Sequence, residues 1–172
     1  IAQTPAEPRD ASRLLVLPRG GGAVEHACFS DLPRCLRAGD LLVVHDTRVL
    51  RARLFGRKIP GGGEAEILLV RPLAGGRWEA LPRMSGRLRA GQEIDLGEGF
   101  RARLGGQIEE SRWEVEIACP GAPGGIEGYL ERAGHIPLPP YIRRSDTGDD
   151  ARWYQTVFAR EPGAVAAPTA GL

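Results

Sequence analysis

This sequence predicts a β-rich fold whose centre is a small antiparallel barrel or sandwich, and three observations predict it. Short stretches between Val49 and about Ile117 alternate apolar with polar residues, as strands with one buried face do. Glycine- or proline-bearing turns separate those stretches at near-regular spacing. Convincing helical spacing is absent there and begins only at Gly124–Gly134.

The elements follow in order. Ser12–Leu17 reads as a compact apolar strand and Val24–Phe29 as its return, joined by a turn containing Gly20–Gly22. A phosphate loop would need a following helix and a Lys-Ser/Thr pair, so a hairpin turn is the better reading of those glycines. Ser30 is placed to cap a short helix over Asp31–Leu36. Leu41–Val44 is apolar on both faces and is expected to be a buried central strand. The alternating stretches are Ala52–Phe55, Ala65–Val70, Trp78–Leu81, Glu93–Leu96, Phe100–Leu104 and Trp113–Ile117. Leu36–Gly39 recurs as Leu88–Gly91, which reads as one turn used twice rather than a duplication. Over Gly124–Gly134, Ile126, Tyr129, Leu130 and Ala133 share a helix face, with Gly134 as C-cap. The three prolines of His135–Ile142 forbid a helix and stiffen that segment. One helical turn is expected over Asp149–Tyr154, and a turn at Glu161–Gly163.

Composition narrows the function classes. A chain of 172 residues with 42% hydrophobic and 26% charged side chains is globular rather than disordered. Net charge is +1, so there is no global signal for nucleic acid. Lys58 is the single lysine against 22 arginines, a bias that weakens any argument from arginine count. Charge is uneven along the chain: residues 1–58 carry ten basic and six acidic side chains, residues 59–142 nine and twelve. The three cysteines, Cys28, Cys35 and Cys119, form no CxxC pair, which favours a reducing cytoplasm over a zinc site or disulfide framework. No apolar run reaches the length of a membrane span, and no metal site is expected. The missing initiator Met makes the chain read as a segment of something longer.

Several residues carry candidate chemistry. Arg48, Arg51, Arg53, Arg57 and Lys58 lie in a stretch without acids; strand alternation would put Arg51, Arg53 and Arg57 on one face, either solvated or phosphate-facing. Asp46 and Arg48 sit at the exit of the apolar run, where open α/β sheets place ligands, though the two can equally form a structural pair. A stiff proline segment would hold His135 and Tyr141 at little entropic cost. Trp153–Leu172 is rich in small residues and is either a tight crossing or the wall of a pocket.

The motifs have a family likeness. Arg9–Leu15, Asp46–Val49, Ala52–Gly56, Gly134–Ile142, Tyr154–Val157 and Pro162–Leu172 run in order along the whole chain. Together they resemble the S-adenosylmethionine:tRNA ribosyltransferase-isomerase family of queuosine biosynthesis. Three departures stand out: His45 replaces the family's usual Asn, Arg143 replaces its usual His, and Arg83–Arg87 differs from the usual Arg-Pro-Gly-Lys-Arg turn. The resemblance implies a mixed α/β domain interrupted by an inserted antiparallel β-barrel. Residues 1–57 and 134–172 would belong to the incomplete α/β domain and 58–133 to the insert. It further implies transfer and isomerisation of the ribosyl moiety of S-adenosylmethionine onto 7-aminomethyl-7-deazaguanine at the tRNA wobble position. Epoxyqueuosine would form, with adenine and methionine released. S-adenosylmethionine is then a substrate and no cofactor is needed.

On that basis Asp46 and His135 are candidate catalytic residues. Arg48, Tyr141, Tyr154, Gln155, Thr169 and Gly171 are candidates for substrate binding, and Arg51, Arg53, Arg57 and Lys58 for RNA. Each has a plainer alternative: His135 bonding a backbone carbonyl, or the tyrosines filling a core. The rival functions are a non-catalytic RNA-binding barrel module and an inactive fragment of the enzyme. The expected partners are tRNA and S-adenosylmethionine, without a membrane, for a monomer in the cytoplasm.

Overall fold

The computed structural model describes residues 2–118, 121, 123–168 and 171. The chain divides into two compact units, Ile1–Val44 with Pro140–Arg144 and His45–Pro139 with Ser145–Leu172.

In the first unit, β1 (Arg13–Val16) and β2 (Glu25–Cys28) pair antiparallel, with Leu14 opposite Ala27. Gly21 and Gly22 adopt φ of 82° and 135°, so the glycine cluster is the hairpin turn the sequence suggested. A 3-10 helix follows over Phe29–Cys35, and Asp31 rather than Ser30 serves its start: the Asp31 carboxylate accepts the Cys28 N–H at 3.0 Å. The side chain of Gln3 donates to the Tyr141 carbonyl at 3.1 Å and accepts the Arg143 N–H at 2.6 Å.

The expectation for Leu41–Val44 is corrected. The segment is not a strand, and Leu41 and Val43 are 88% and 84% exposed. A run that is apolar on both faces becomes a central strand only with a neighbour on each edge. No described strand pairs with it.

The second unit holds a closed barrel of β4 (Arg53–Ile59), β5 (Glu64–Pro72), β6 (Arg77–Met84), β7 (Glu93–Gly97), β8 (Phe100–Gln107) and β9 (Trp113–Ala118), all paired antiparallel. The sequence left barrel and sandwich open; closure decides for the barrel. β6 pairs β9, and β7 closes on β4, so no strand of the barrel is left with a bare edge. Alternation holds along the strands: Leu54, Ile67, Leu69, Ala80, Ile94, Ala102, Leu104 and Val115 are buried inside. The repeated Leu-Arg-Ala-Gly segments form matching turns. Asp40 N–H bonds the Arg37 carbonyl at 3.0 Å and Gln92 N–H the Arg89 carbonyl at 3.2 Å, with Gly39 and Gly91 at positive φ.

Outward-facing charges alternate in sign around the wall. Arg57 lies between Glu64 and Asp95, and Arg103 between Glu93 and Glu116. One carboxylate of the barrel strands is buried. Glu79, 1% exposed, receives Arg71 Nε and Arg112 Nη1 at 2.6 Å each. Burial alone would raise its pKa, but the bonds and charges of the two arginines prevail and hold it below the usual carboxylate value.

Helix α1 (Gly125–Ala133) packs against the barrel core. Tyr129 and Leu130 are buried, and the Tyr129 ring stacks on Phe100 with centroids 4.0 Å apart. The Tyr129 hydroxyl donates to the Leu96 carbonyl at 2.7 Å. Burial, with the charges of Glu98 and Asp95 adding, pushes its pKa up from 10.0 to about 12. The folded chain therefore keeps this proton to a higher pH than the unfolded chain does. The associated stability is complete below about pH 10 and lost as pH rises through about 12. The expected result is a fall in thermal midpoint across that interval, followed by circular dichroism. Tyr129→Phe should flatten the fall while costing about 1–3 kcal/mol at neutral pH, since the buried Leu96 carbonyl loses its donor.

A smaller core follows the barrel. Val49 of β3 (Thr47–Val49), Ile136, Tyr154 and Ala167 pack together, with Ala151 of α2 (Asp150–Trp153) against them. The turn expected at Glu161–Gly163 is instead strand β10 (Glu161–Ala164), parallel to β3. The reason is local. The Asp46 carbonyl accepts the N–H groups of both Arg160 and Glu161, at 2.6 and 3.2 Å, and draws the segment alongside β3.

Candidate functional site

β3 is three residues long, and one of its edges is completed by a side chain. Gln155 Nε2 donates to the Val49 carbonyl at 2.9 Å and its Oε1 accepts the Val49 N–H at 2.8 Å. A primary amide presents a donor and an acceptor as a peptide unit does, so Gln155 stands in for a strand neighbour. Thr156 Oγ1 donates to the His45 carbonyl at 2.9 Å. The segment from His45 to Leu50 is thereby bracketed by residues 155–164, with Arg48 within it and Arg51 next to it.

Those two arginines open into a cleft of about 490 Å³. Val70, Pro72 and Trp78 of the barrel form one wall and Glu127, Leu130 and Glu131 of α1 another, with Ile136, Gln155, Pro162 and Gly163 also lining it. Apolar and aromatic surface therefore meets two guanidinium groups and two carboxylates. Arg48 and Glu131 are 3.9 Å apart with side chains 50% and 76% exposed. A loose, solvated pair of that kind contributes at most about 1 kcal/mol. A bidentate contact with a ligand carboxylate would exceed it. The cleft suits a molecule with an apolar or aromatic body and a zwitterionic end.

The structure brings Arg48, Arg51 and Gln155 together in this cleft, but not the other candidates. Asp46 is exposed, and its carboxylate has no partner among the described residues. It does not pair with Arg48, whose partner is Glu131. His135 and Arg53 exchange backbone hydrogen bonds at 2.9 and 3.2 Å, fixing His135 against β4. Its ring packs edge-on to Phe55 at 4.8 Å, on the barrel wall, while the next residue, Ile136, lines the cleft. The ring bonds a carboxylate rather than a backbone carbonyl: Nδ1 lies 2.9 Å from Asp146 Oδ1.

The arginine strip is largely engaged within the chain. Arg53 is paired with Glu66 at 2.7 Å, Arg57 Nη1 donates to the Gly62 carbonyl at 3.2 Å, and Lys58 Nζ to the Ser85 carbonyl at 2.9 Å. Arg53 and Arg57 do share the outward face of β4, whereas Arg51 precedes the strand and turns into the cleft. Tyr141 belongs to the first unit and is 40% exposed. Tyr154, 8% exposed, sits in the smaller core, which matches the plainer reading of that residue. Gly171 lies against Thr156, where a Cβ would come within 3.0 Å of Thr156 Cγ2. Thr169 lies outside the described residues.

Sequence reasoning missed Trp78, Glu127, Glu131 and Asp146. The two glutamates had a signal, since a spacing of four on a helix puts both on one face. Trp78 and Asp146 had none, because each acquires its neighbours only through tertiary contacts.

Comparisons with known proteins agree with one another. A family model described as "Queuosine biosynthesis protein" matches residues 1–172. A protein of Anaeromyxobacter sp. named S-adenosylmethionine:tRNA ribosyltransferase-isomerase is 51% identical over 100% of this chain and 49% of its own length. One of the same name from Rubrobacter xylanophilus is 48% identical over 100% of this chain and 48% of its own. A crystal structure of S-adenosylmethionine tRNA ribosyltransferase from Thermotoga maritima is 38% identical, covering 68% of this chain and 40% of that one, with a TM-score of 0.36. The chain spans about half the length of the curated relatives it matches.

Proposed function

Since the chain belongs to the queuosine biosynthesis protein family, we propose that it is part of an S-adenosylmethionine:tRNA ribosyltransferase-isomerase. The reaction would be the one described above, from S-adenosylmethionine and 7-aminomethyl-7-deazaguanine in tRNA to epoxyqueuosine, adenine and methionine. The match along the whole chain to proteins of that name carries this reading. In it the barrel, whose first strand already begins at Arg53, interrupts an α/β domain made of the chain on either side of it, and the enzyme works in the cytoplasm.

The cleft adds chemical support. Arg48 would take the methionine carboxylate bidentately, exchanging its loose contact with Glu131 for a charge-assisted one. Trp78 offers a face for an aromatic base, and Leu130 and Ile136 cover apolar surface. The sulfonium acidifies the carbon beside it, so a general base there starts the reaction and a general acid assists departure of adenine. Asp46 and His135 are the candidates for those two proton transfers, with Tyr141, Tyr154, Thr169 and Gly171 left as candidates for positioning the substrates.

The test uses an enzyme of the relatives' full length that carries this sequence, with adenine release as the readout. Asp46→Asn and His135→Ala should each lower kcat by about 100-fold or more. Arg48→Ala should raise the KM for S-adenosylmethionine by roughly 10-fold or more. Wild-type rates in both acid–base variants would remove those residues from the chemistry. Salt-sensitive tRNA binding without any S-adenosylmethionine binding would instead favour an RNA-binding barrel module using Arg51, Arg53, Arg57 and Lys58.

A further inference from the structure

We propose that Asp146 is a positioning residue that locks the His135 ring in its Nδ1–H tautomer, making Nε2 the nitrogen that works on the substrate. The proposal rests on the role given to His135 above and specifies it. Both oxygens of the Asp146 carboxylate are used: Oδ1 lies 2.9 Å from His135 Nδ1, and Oδ2 accepts the Ile136 N–H at 3.1 Å. The second bond ties the carboxylate to the backbone beside the histidine, so it cannot swing away from the ring. A carboxylate only accepts hydrogen bonds, which puts the ring proton on Nδ1. The Asp146 side chain is 16% exposed and that of His135 43%. The orienting contact is thus shielded while the ring stays accessible.

Two further contacts hold the ring plane. Phe55 packs edge-on at 4.8 Å, and the backbone exchange with Arg53 fixes the histidine to β4. Nε2 has no partner among the described residues. In the neutral Nδ1–H form its lone pair can only accept, which assigns His135 the base step rather than the first acid step. The proton on the carbon beside the sulfonium moves to Nε2, and the electron pair of the broken C–H bond remains on that carbon. The imidazolium so formed keeps Nδ1–H on Asp146 and holds the abstracted proton on Nε2, while Asp46 remains the candidate for the acid step.

The variant that separates positioning from mere structure is Asp146→Asn. An asparagine can keep its carbonyl oxygen on the Ile136 N–H and turn its NH₂ toward Nδ1, which selects the opposite tautomer. The chain has three histidines, so ¹⁵N-histidine spectra of it are simple, and His135→Gln identifies the signal. The expected result is Nδ1–H in the wild type and Nε2–H in Asp146→Asn. In the full-length enzyme, kcat for adenine release should fall about 100-fold or more with KM for S-adenosylmethionine little changed. Asp146→Glu, which keeps a carboxylate, should restore Nδ1–H and much of the rate. A wild-type ring in the Nε2–H form overturns the proposal even if Asp146→Asn fails to fold. So does a switched tautomer with unchanged kcat. Full activity of His135→Ala would sink the catalytic role of the histidine itself, while the spectra would still report whether Asp146 sets its tautomer.

Discussion

Replacing Phe100 with alanine should destabilise the barrel by about 3–5 kcal/mol, the range for deleting a fully buried aromatic ring. Phe100 is 1% exposed and sits at the start of β8, under the ring of Tyr129. Its removal leaves a void that a closed barrel cannot collapse to fill, because each strand is pinned to a neighbour on both sides. The loss also reaches the cleft. Tyr129 and Leu130 hold α1 to the barrel, and α1 brings Glu127 and Glu131 to the cleft facing Arg48. The expected observations are a thermal midpoint lower by on the order of 10 °C and, in the full-length enzyme proposed above, a weakened affinity for S-adenosylmethionine. A midpoint within a degree or two of wild type would mean that the stacked pair is not the anchor of the helix.

Gly134→Val should cost about 3 kcal/mol or more, through overpacking and the loss of nearby backbone bonds. The glycine was legible as a helix C-cap, but the structure gives a different reason for it. Its φ of −75° is open to any residue, so conformational freedom is not at issue. What excludes a side chain is space. A Cβ there would collide with the carbonyl oxygens of Arg51 and Leu130. Moving the backbone to make room would break the exchange between His135 and Arg53, and with it the attachment of the proline segment to β4. Gly106→Ala is the control, since a Cβ at that position meets nothing within 4 Å. It should shift stability by less than about 0.5 kcal/mol. Comparable losses in the two variants would contradict the steric account.

Strand existence was legible almost throughout. β5 and β9 show the plain two-residue alternation, with Ala65, Ile67 and Leu69 inward on one and Trp113, Val115 and Ile117 on the other. Leu41–Val44 misled because an apolar run states only that burial is wanted, not that a partner is present. Glu161–Gly163 misled for the opposite reason. Its proline and glycine signal a turn, yet hydrogen bonds to the Asp46 carbonyl, more than a hundred residues away in sequence, make it a strand. The candidate site divided in the same manner. Arg48 and Arg51 were found by local charge, whereas the carboxylates of α1 that share their cleft come from another part of the chain.

By itself the sequence determined the alternating strands, the positions of their turns, the amphipathic face of α1 and the family. These are properties of neighbouring residues, read through the periods of strand and helix or through motifs contiguous in the chain. Only the tertiary structure decided that the strands close into a barrel, that Gln155 completes the edge of β3, and that Asp146 meets His135. Each of those depends on groups brought together by packing, and a hydrogen bond at 2.9 Å between residues 135 and 146 leaves no trace in the pattern of either.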